Sequence, residues 1–300
     1  MQPTTKSSNR KLRRRCVCAI AAAAFATMLA PATAEGAYRW PVTPFGEQHP
    51  VRGFFGDPRI GDGGHHQFHF GVDVSAPNGT PVYATLTGRV RFIHDDAIAV
   101  SDGGRRAFEY WHIRPAVQPG QFVTAFRTVV GHVEKPWAHV HFSETLDGRY
   151  VNPLRPGAMG PYVDATRPRV TRVIATPSGA VLADVADTTP IAVPEPWANL
   201  PVMPALVRWR LVGRTAGHWT TAADFRWTIP SADSFFSVFA AVTRQNHARR
   251  PGLYRLRLAV RPPERPGLQI QILLADVSGN RSLETFLLGR SGVLLRASRA

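Results

Sequence analysis

Three short polar sets between Gly63 and Glu144 combine residue types that bind metals and move protons: His69-Phe70-Gly71-Val72-Asp73, Tyr110-Trp111-His112-Ile113 and His139-Val140-His141-Phe142. Imidazole nitrogen and carboxylate oxygen suit zinc, which takes them in tetrahedral geometry and, in a catalytic site, keeps the fourth position for water. His69, Asp73 and His141 would supply three protein ligands, leaving His112 and His139 for chemistry. The chain contains no His-Glu-x-x-His sequence, so the helical metalloprotease arrangement with a glutamate base is absent and histidine must do the proton work.

These side chains converge only if strands carry them. Gly71, the β-branched Val72 and Val74, and the turn-like Pro77-Asn78-Gly79 favour extended backbone over helix. A strand sends alternate side chains to opposite faces. His69, Gly71 and Asp73 are therefore expected on one face, with Phe70, Val72 and Val74 behind them. His139 and His141 look one way, Val140 and Phe142 the other. Tyr110 pairs in parity with His112, while Trp111 and Ile113 point to the opposite side, as does Glu109, expected at the rim or in an ion pair.

Taken in order, the three sets resemble the catalytic domain of the lysostaphin/LytM-type zinc endopeptidases, whose pattern is His-x-x-x-Asp, a later aromatic-x-His, and His-x-His. Ala76-Pro77-Asn78-Gly79-Thr80-Pro81-Val82-Tyr83-Ala84, Gly88-Arg89-Val90, Pro119-Gly120-Gln121-Phe122-Val123 and Val130-Gly131 extend the likeness, which runs roughly from Trp40 to Pro153. The resemblance implies an antiparallel, duplicated hybrid motif-like all-β fold. It also implies one zinc ion held by His69, Asp73 and His141, and catalysis by His112 and His139. The substrate implied is peptide bonds of peptidoglycan stem peptides or cross-bridges. Some relatives of this family are non-catalytic wall-binding or amidase-activator proteins, which is the alternative reading; loss of ligands marks them, and all five positions are filled here. Two departures concern the groove: the loop from Gly131 to His139 is short and lacks the usual glycines, and Glu144 sits one residue later than the acid that commonly follows the last histidine.

The 300 residues allow two domains, and 44% hydrophobic with 19% charged residues reads as globular. The start is read as a secretory signal peptide spanning 1–34. A basic run, Lys11-Leu12-Arg13-Arg14-Arg15, precedes an apolar stretch from Cys16 to about Ala30, and Ala32-Thr33-Ala34 offers a small-residue cleavage site. The stretch is shorter than the about 20 residues a membrane span needs, so no stable membrane insertion follows cleavage. Cys16 and Cys18, the only cysteines, leave with it, which excludes a disulfide framework, a cysteine zinc site and a cysteine nucleophile. Six basic residues and no acidic one leave too, so +15 becomes +9. An exported, moderately basic protein suits an anionic envelope, in the periplasm, the cell wall or outside the cell. Its arginines are scattered and no nucleic-acid-binding motif is present, so nucleic acid is not an expected partner.

After the peptidase segment (35–156), Gly157 to Arg167 reads as a linker, residues 168–290 as an immunoglobulin-like β-sandwich, and 291–300 as a tail. Period-two alternation carries this reading: Val207, Trp209 and Leu211; Tyr254, Leu256 and Leu258; Leu268, Ile270, Ile272 and Leu274. No catalytic constellation is evident in that half. Among the remaining polar residues, His65 and His66 are expected in a glycine-rich groove loop, and His94-Asp95-Asp96 in a solvated turn. Cleavage is expected between Ala34 and Glu35. Amino-terminal sequencing of secreted protein checks this, and an intact Met1 would make the segment an anchor.

Overall fold

The computed structural model describes residues 36–61, 64–260, 267–288 and 292–294. The leader expected over 1–34 lies outside the described residues, as does most of the 291–300 tail. No helix among the described residues is long and apolar enough to cross a membrane.

The N-terminal half is built from strands β1 (Val51–Gly53), β2 (Pro58–Ile60), β3 (His66–Phe68), β4 (Val72–Ser75), β5 (Pro81–Tyr83), β6 (Gly88–His94), β7 (Ala97–Ser101), β8 (Arg106–Trp111), β9 (Ile113–Pro115), β10 (Phe122–Val123), β11 (Val129–Val133), β12 (His139–Leu146) and β13 (Arg149–Val151). Its main sheet runs β1-β4-β12-β8-β7-β6-β10, with β13 added to β12. A three-stranded sheet, β5-β11-β9, and the β2–β3 hairpin complete this half, and every pairing is antiparallel. Alternation decides which face is buried. Val72 and Val74 of β4, Val140 and Phe142 of β12, and Phe108 and Tyr110 of β8 all enter one core with Trp40.

Glu144 shares the inward face of β12 with Val140 and Phe142 and is fully buried. Its charge is met by Arg155 in a bidentate pair (2.6 and 3.0 Å), by Arg106 Nε at 3.0 Å and by the Tyr38 hydroxyl at 2.6 Å. It therefore locks the sheet to the chain's opening segment, on the side away from the histidines.

The C-terminal half contributes β14 (Arg169–Ala175), β15 (Ala180–Ala186), β16 (Leu206–Val212), β17 (Thr220–Asp224), a short helix α1 (Phe235–Val238), β18 (Tyr254–Val260), β19 (Gln269–Ala275), β20 (Arg281–Leu287) and β21 (Gly292–Val293). Two antiparallel sheets, β18-β15-β14-β21 and β17-β16-β19-β20, share a core of alternate residues such as Val173, Val181, Leu256, Val207, Ile270 and Ile272. The described residues are thus almost entirely β, and their named strands pair antiparallel, as the alternation predicts.

The halves interlock. Phe55 and Phe68 from the first half belong to the second core, where Phe68 packs on Phe225, Phe235 and Phe239 with ring centroids 5.5–5.8 Å apart. Val202, Ala205 and Val277 enter the first core in return. The first part of the stretch expected as a linker is packed as well: Ala158 and Met159 are buried, Met159 bridges to Tyr38, and the carbonyl of Pro161 accepts from Trp40 Nε1 at 2.9 Å, whereas Val163, Ala165 and Arg167 are exposed. The described residues accordingly form one compact unit.

Removing one partner of a buried ion pair leaves the other uncompensated, at about 3–5 kcal/mol. Glu144→Ala is expected to cost that much, read as a lower denaturant midpoint, because Arg155 loses its bidentate acceptor. An unchanged midpoint would deny the network that role.

Candidate metal centre and active site

The register of β12 assembles the polar face. His141 stands opposite Asp73 of β4 on one side and opposite Trp111 of β8 on the other, while His139 stands opposite Ser75. The backbone reaches β4 only at Val72, so His69, Phe70 and Gly71 form its approach and not part of the strand. Phe70 consequently does not enter the core; it packs on Trp111, His141 and Tyr150 at the cleft wall. Gly71 is required by contact: a Cβ there would come closer than 3.0 Å to Phe142 O, Ser143 Oγ and His141 Nε2.

His69 Nε2, Asp73 Oδ1 and His141 Nδ1 meet at one point, 2.9 Å, 3.2 Å and 2.7 Å apart in pairs. Each ring's other nitrogen is committed elsewhere. His69 Nδ1 donates to Phe54 O at 2.8 Å, and His141 Nε2 lies 2.8 Å from Ser143 Oγ, which can accept its proton. Both inward nitrogens are then bare lone pairs facing a carboxylate oxygen. Three acceptors this close repel one another unless a cation lies among them, so the donor set fits a metal ion. Burial disfavours the charged form of both rings: it lowers the His69 pKa, with Arg59 adding to it, and brings His141 down to about 3. Burial pushes the Asp73 carboxyl up, but His69, His139 and Arg59 together hold it well below the usual carboxylate range.

Asp73 Oδ2, the oxygen turned away, accepts from Arg59 Nη2 at 2.8 Å. Gly53 of β1 backs this pair so closely that a Cβ would crowd both Asp73 Oδ2 and Arg59 Nη2. The loop that accepts from His69 is itself pinned from the other half. Asp57 is buried, accepts from Phe54 N and Met203 N at 2.8 Å each, and burial raises its pKa to about 6.

His139 and His112 lie beside this centre. His139 Nε2 is 3.4 Å from Asp73 Oδ1. His139 Nδ1 has Trp137 O at 2.9 Å and Arg52 Nη2 at 2.6 Å; one can only accept and the other only donate, so the ring satisfies one at a time. His112 follows β8 with φ of 64°, a left-handed conformation costly for a non-glycine residue, and that reversal breaks the alternation expected there. Trp111 and His112 therefore both line the cleft, while Tyr110 and Ile113 are fully buried. Glu109, on the Trp111 side, is buried and accepts from Trp111 Nε1 and Tyr150 OH at 3.1 and 3.0 Å, in place of an ion pair. His112 stacks on Trp137 (4.1 Å, 22°), and its Nδ1 lies 3.4 Å from Asp96 Oδ2. Burial, with His139 nearby, lowers its pKa to about 4.

The cleft has a volume of about 530 Å³. Its walls include residues that no sequence motif marks: Arg52, Arg59, Trp137, and from the other half Trp197, Gln245 and Asn246. Asp96 belongs to the turn read as solvated, and only the fold brings it to His112. His66 turns from the cleft onto Phe235 and Phe236, and the Ile60 N–H donates to Gln245 Oε1 at 2.5 Å, so the β2–β3 hairpin is held by the C-terminal half.

Residues 67–153 match the model for peptidase family M23. That segment carries β4, β8 and β12 and all five histidine and aspartate positions described above. Among solved structures, the chain is similar to a variant catalytic domain of the prophage-encoded M23 protein EnpA from Enterococcus faecalis (26% identity, 39% of this chain and 98% of that one, TM-score 0.32). It is also similar to the catalytic domain of the antimicrobial peptidase lysostaphin from Staphylococcus simulans (22%, 35% and 90%, 0.30), and to a chain of the SpoIIIAH–SpoIIQ complex (20%, 39% and 97%, 0.34). The sequence matches no curated protein.

Groups that orient a ligand from behind are typically worth about 10–100-fold in metal affinity. Gly53→Ala should displace the Asp73–Arg59 pair and lower zinc affinity by that factor, measured by chelator competition with the folded state checked by circular dichroism. Wild-type affinity in that variant would show that the pair does not orient Asp73.

Proposed function

We propose that the chain is an exported zinc metalloendopeptidase that hydrolyses peptide bonds in peptidoglycan stem peptides or cross-bridges. The observation that carries this reading is the convergence of two bare imidazole nitrogens, His69 Nε2 and His141 Nδ1, with the ionised Asp73 Oδ1 in an open cleft. His69, Asp73 and His141 would hold one zinc ion. When bound there, zinc supplies a Lewis acid that polarises a carbonyl and acidifies water.

The chain's own residues do the rest. His139, with its Nδ1–H on Trp137 O, presents Nε2 as the base that takes a proton from the attacking water and returns it to the leaving amine. His112, kept neutral by burial and steadied by Asp96 and Trp137, orients water or donates to the developing oxyanion. The two roles can be exchanged between the rings. Trp111, Phe70 and Trp137 give the cleft apolar walls that limit water around the scissile amide.

Export rests on the basic-apolar-small pattern of residues 1–34, and the periplasm, wall or exterior is where such a substrate lies. We read the C-terminal sandwich as immunoglobulin-like, a reading supported by its two-sheet order β18-β15-β14 and β17-β16-β19-β20. A non-catalytic wall-binding or activator protein is the competing reading. Five intact site residues in one cleft favour the enzyme.

Zinc-loaded protein incubated with purified wall should release peptide fragments, and mass spectrometry would name the bond. Asp73→Ala should empty the metal site. His139→Ala and His112→Ala should keep zinc yet lose about 10²–10⁴-fold and about 10²–10³-fold in rate. Zinc loss in His139→Ala would make that ring a ligand. Intact walls of several types after exposure to the zinc-loaded protein would leave the activator reading.

A further inference from the structure

Among the described residues, Arg52 is a cation of the cleft with no ion-pair partner. Its guanidinium lies over the Trp197 ring at 4.1 Å, and burial brings its pKa down to about 10 against the pull of Asp73, so it is a desolvated but protonated group. Among the described residues, the ion pairs of this cleft join Arg59 to Asp57 and Asp73, and the histidines to Asp73 and Asp96; none includes Arg52. Its hydrogen-bond contact is His139 Nδ1 at 2.6 Å. When His139 serves as a base, that nitrogen carries a proton directed at Trp137 O, and Arg52 faces it donor to donor.

A half-buried guanidinium with five N–H donors, whose hydrogen-bond contact among the described residues is a single ring nitrogen, gains from an incoming acceptor. Carboxylate is the acceptor whose two oxygens match the planar fork. The site's position restricts where that carboxylate can be attached. Arg52 touches one edge of the His139 ring, and the ring's opposite nitrogen lies 3.4 Å from Asp73 Oδ1. A group bound at Arg52 is therefore about one residue from the reacting amide.

We propose that Arg52, braced by Trp197, forms a carboxylate-binding subsite, and that the substrate is a peptide bearing a free carboxylate on a residue flanking the scissile bond. The inference rests on the endopeptidase reading above. Because Trp197 belongs to the C-terminal half, that half sets specificity as well as supporting the fold. Arg59 cannot play the same part, since its Nη2 is committed to Asp73.

The test uses zinc-loaded protein and pairs of wall-derived peptides that differ only in a free carboxylate or a carboxamide at the flanking residue. Two readouts are taken: kcat/KM, and Kd of the corresponding product peptides by calorimetry. The wild type should prefer the free acid by about ten- to a hundredfold in both, the range of a charge-assisted hydrogen bond. Arg52→Gln should bring the ratio to about one, Arg52→Lys should keep part of it, and Trp197→Ala should reduce it. Loss of rate on both peptides with the ratio intact would mean that Arg52 only positions His139, and would overturn the subsite. Equal cleavage of both peptides by the wild type would overturn it too, while leaving the endopeptidase reading in place. If neither peptide is cleaved, the endopeptidase reading fails, and the Kd ratio alone then decides for or against the subsite.

Discussion

The pairing of β12 with β4 is the constraint on which the rest of the site depends. It puts His141 opposite Asp73, and a shift by one residue would turn Asp73 toward the core and Val72 or Val74 toward the cleft. Burial prevents that slip. Val72, Val74, Val140 and Phe142 are all fully excluded from solvent behind the polar face, and Glu144 on the same inward side has its charge met only in the present register. The polar face is therefore held in place by the apolar one, and the convergence of His69, Asp73 and His141 needs no helix.

A second layer of control comes from across the molecule. Met203 donates to Asp57, Asp57 also accepts from Phe54, and Phe54 accepts the His69 proton that leaves Nε2 bare. Phe68 and His66 fasten the adjoining hairpin to the aromatic cluster Phe225, Phe235, Phe236 and Phe239. The C-terminal sandwich thus acts on the tautomer of a candidate ligand through hydrogen bonds, and on the cleft wall through Trp197 and Gln245. Its seam with the N-terminal half includes residues of both cores, and Ala158 and Met159, at the start of the Gly- and Pro-rich stretch, are buried beside it.

Alternation was a sound guide where the chain runs straight and failed where it bends. Along β12 the parity of His139, His141, Val140 and Phe142 holds because the strand is paired on both sides. At His112 the backbone takes a positive φ, so Trp111 joins the cleft and Tyr110 the core, opposite in part to strict parity. Phe70 was expected behind the site and instead lines it, because extended pairing starts only at Val72.

The antiparallel all-β class was legible in the alternation, and His69, Asp73, His112, His139 and His141 could be named as candidates, because period-two patterning and ligand chemistry are local properties. The close approach at Gly53 and Gly71, the service of Asp96 to His112, and the union of Arg52 with Trp197 were decided only by tertiary structure. Each of these joins residues between about 16 and 145 positions apart in the chain, or depends on backbone packing at a single atom. No spacing rule reaches that far, since what brings such residues together is the burial of the apolar faces behind them.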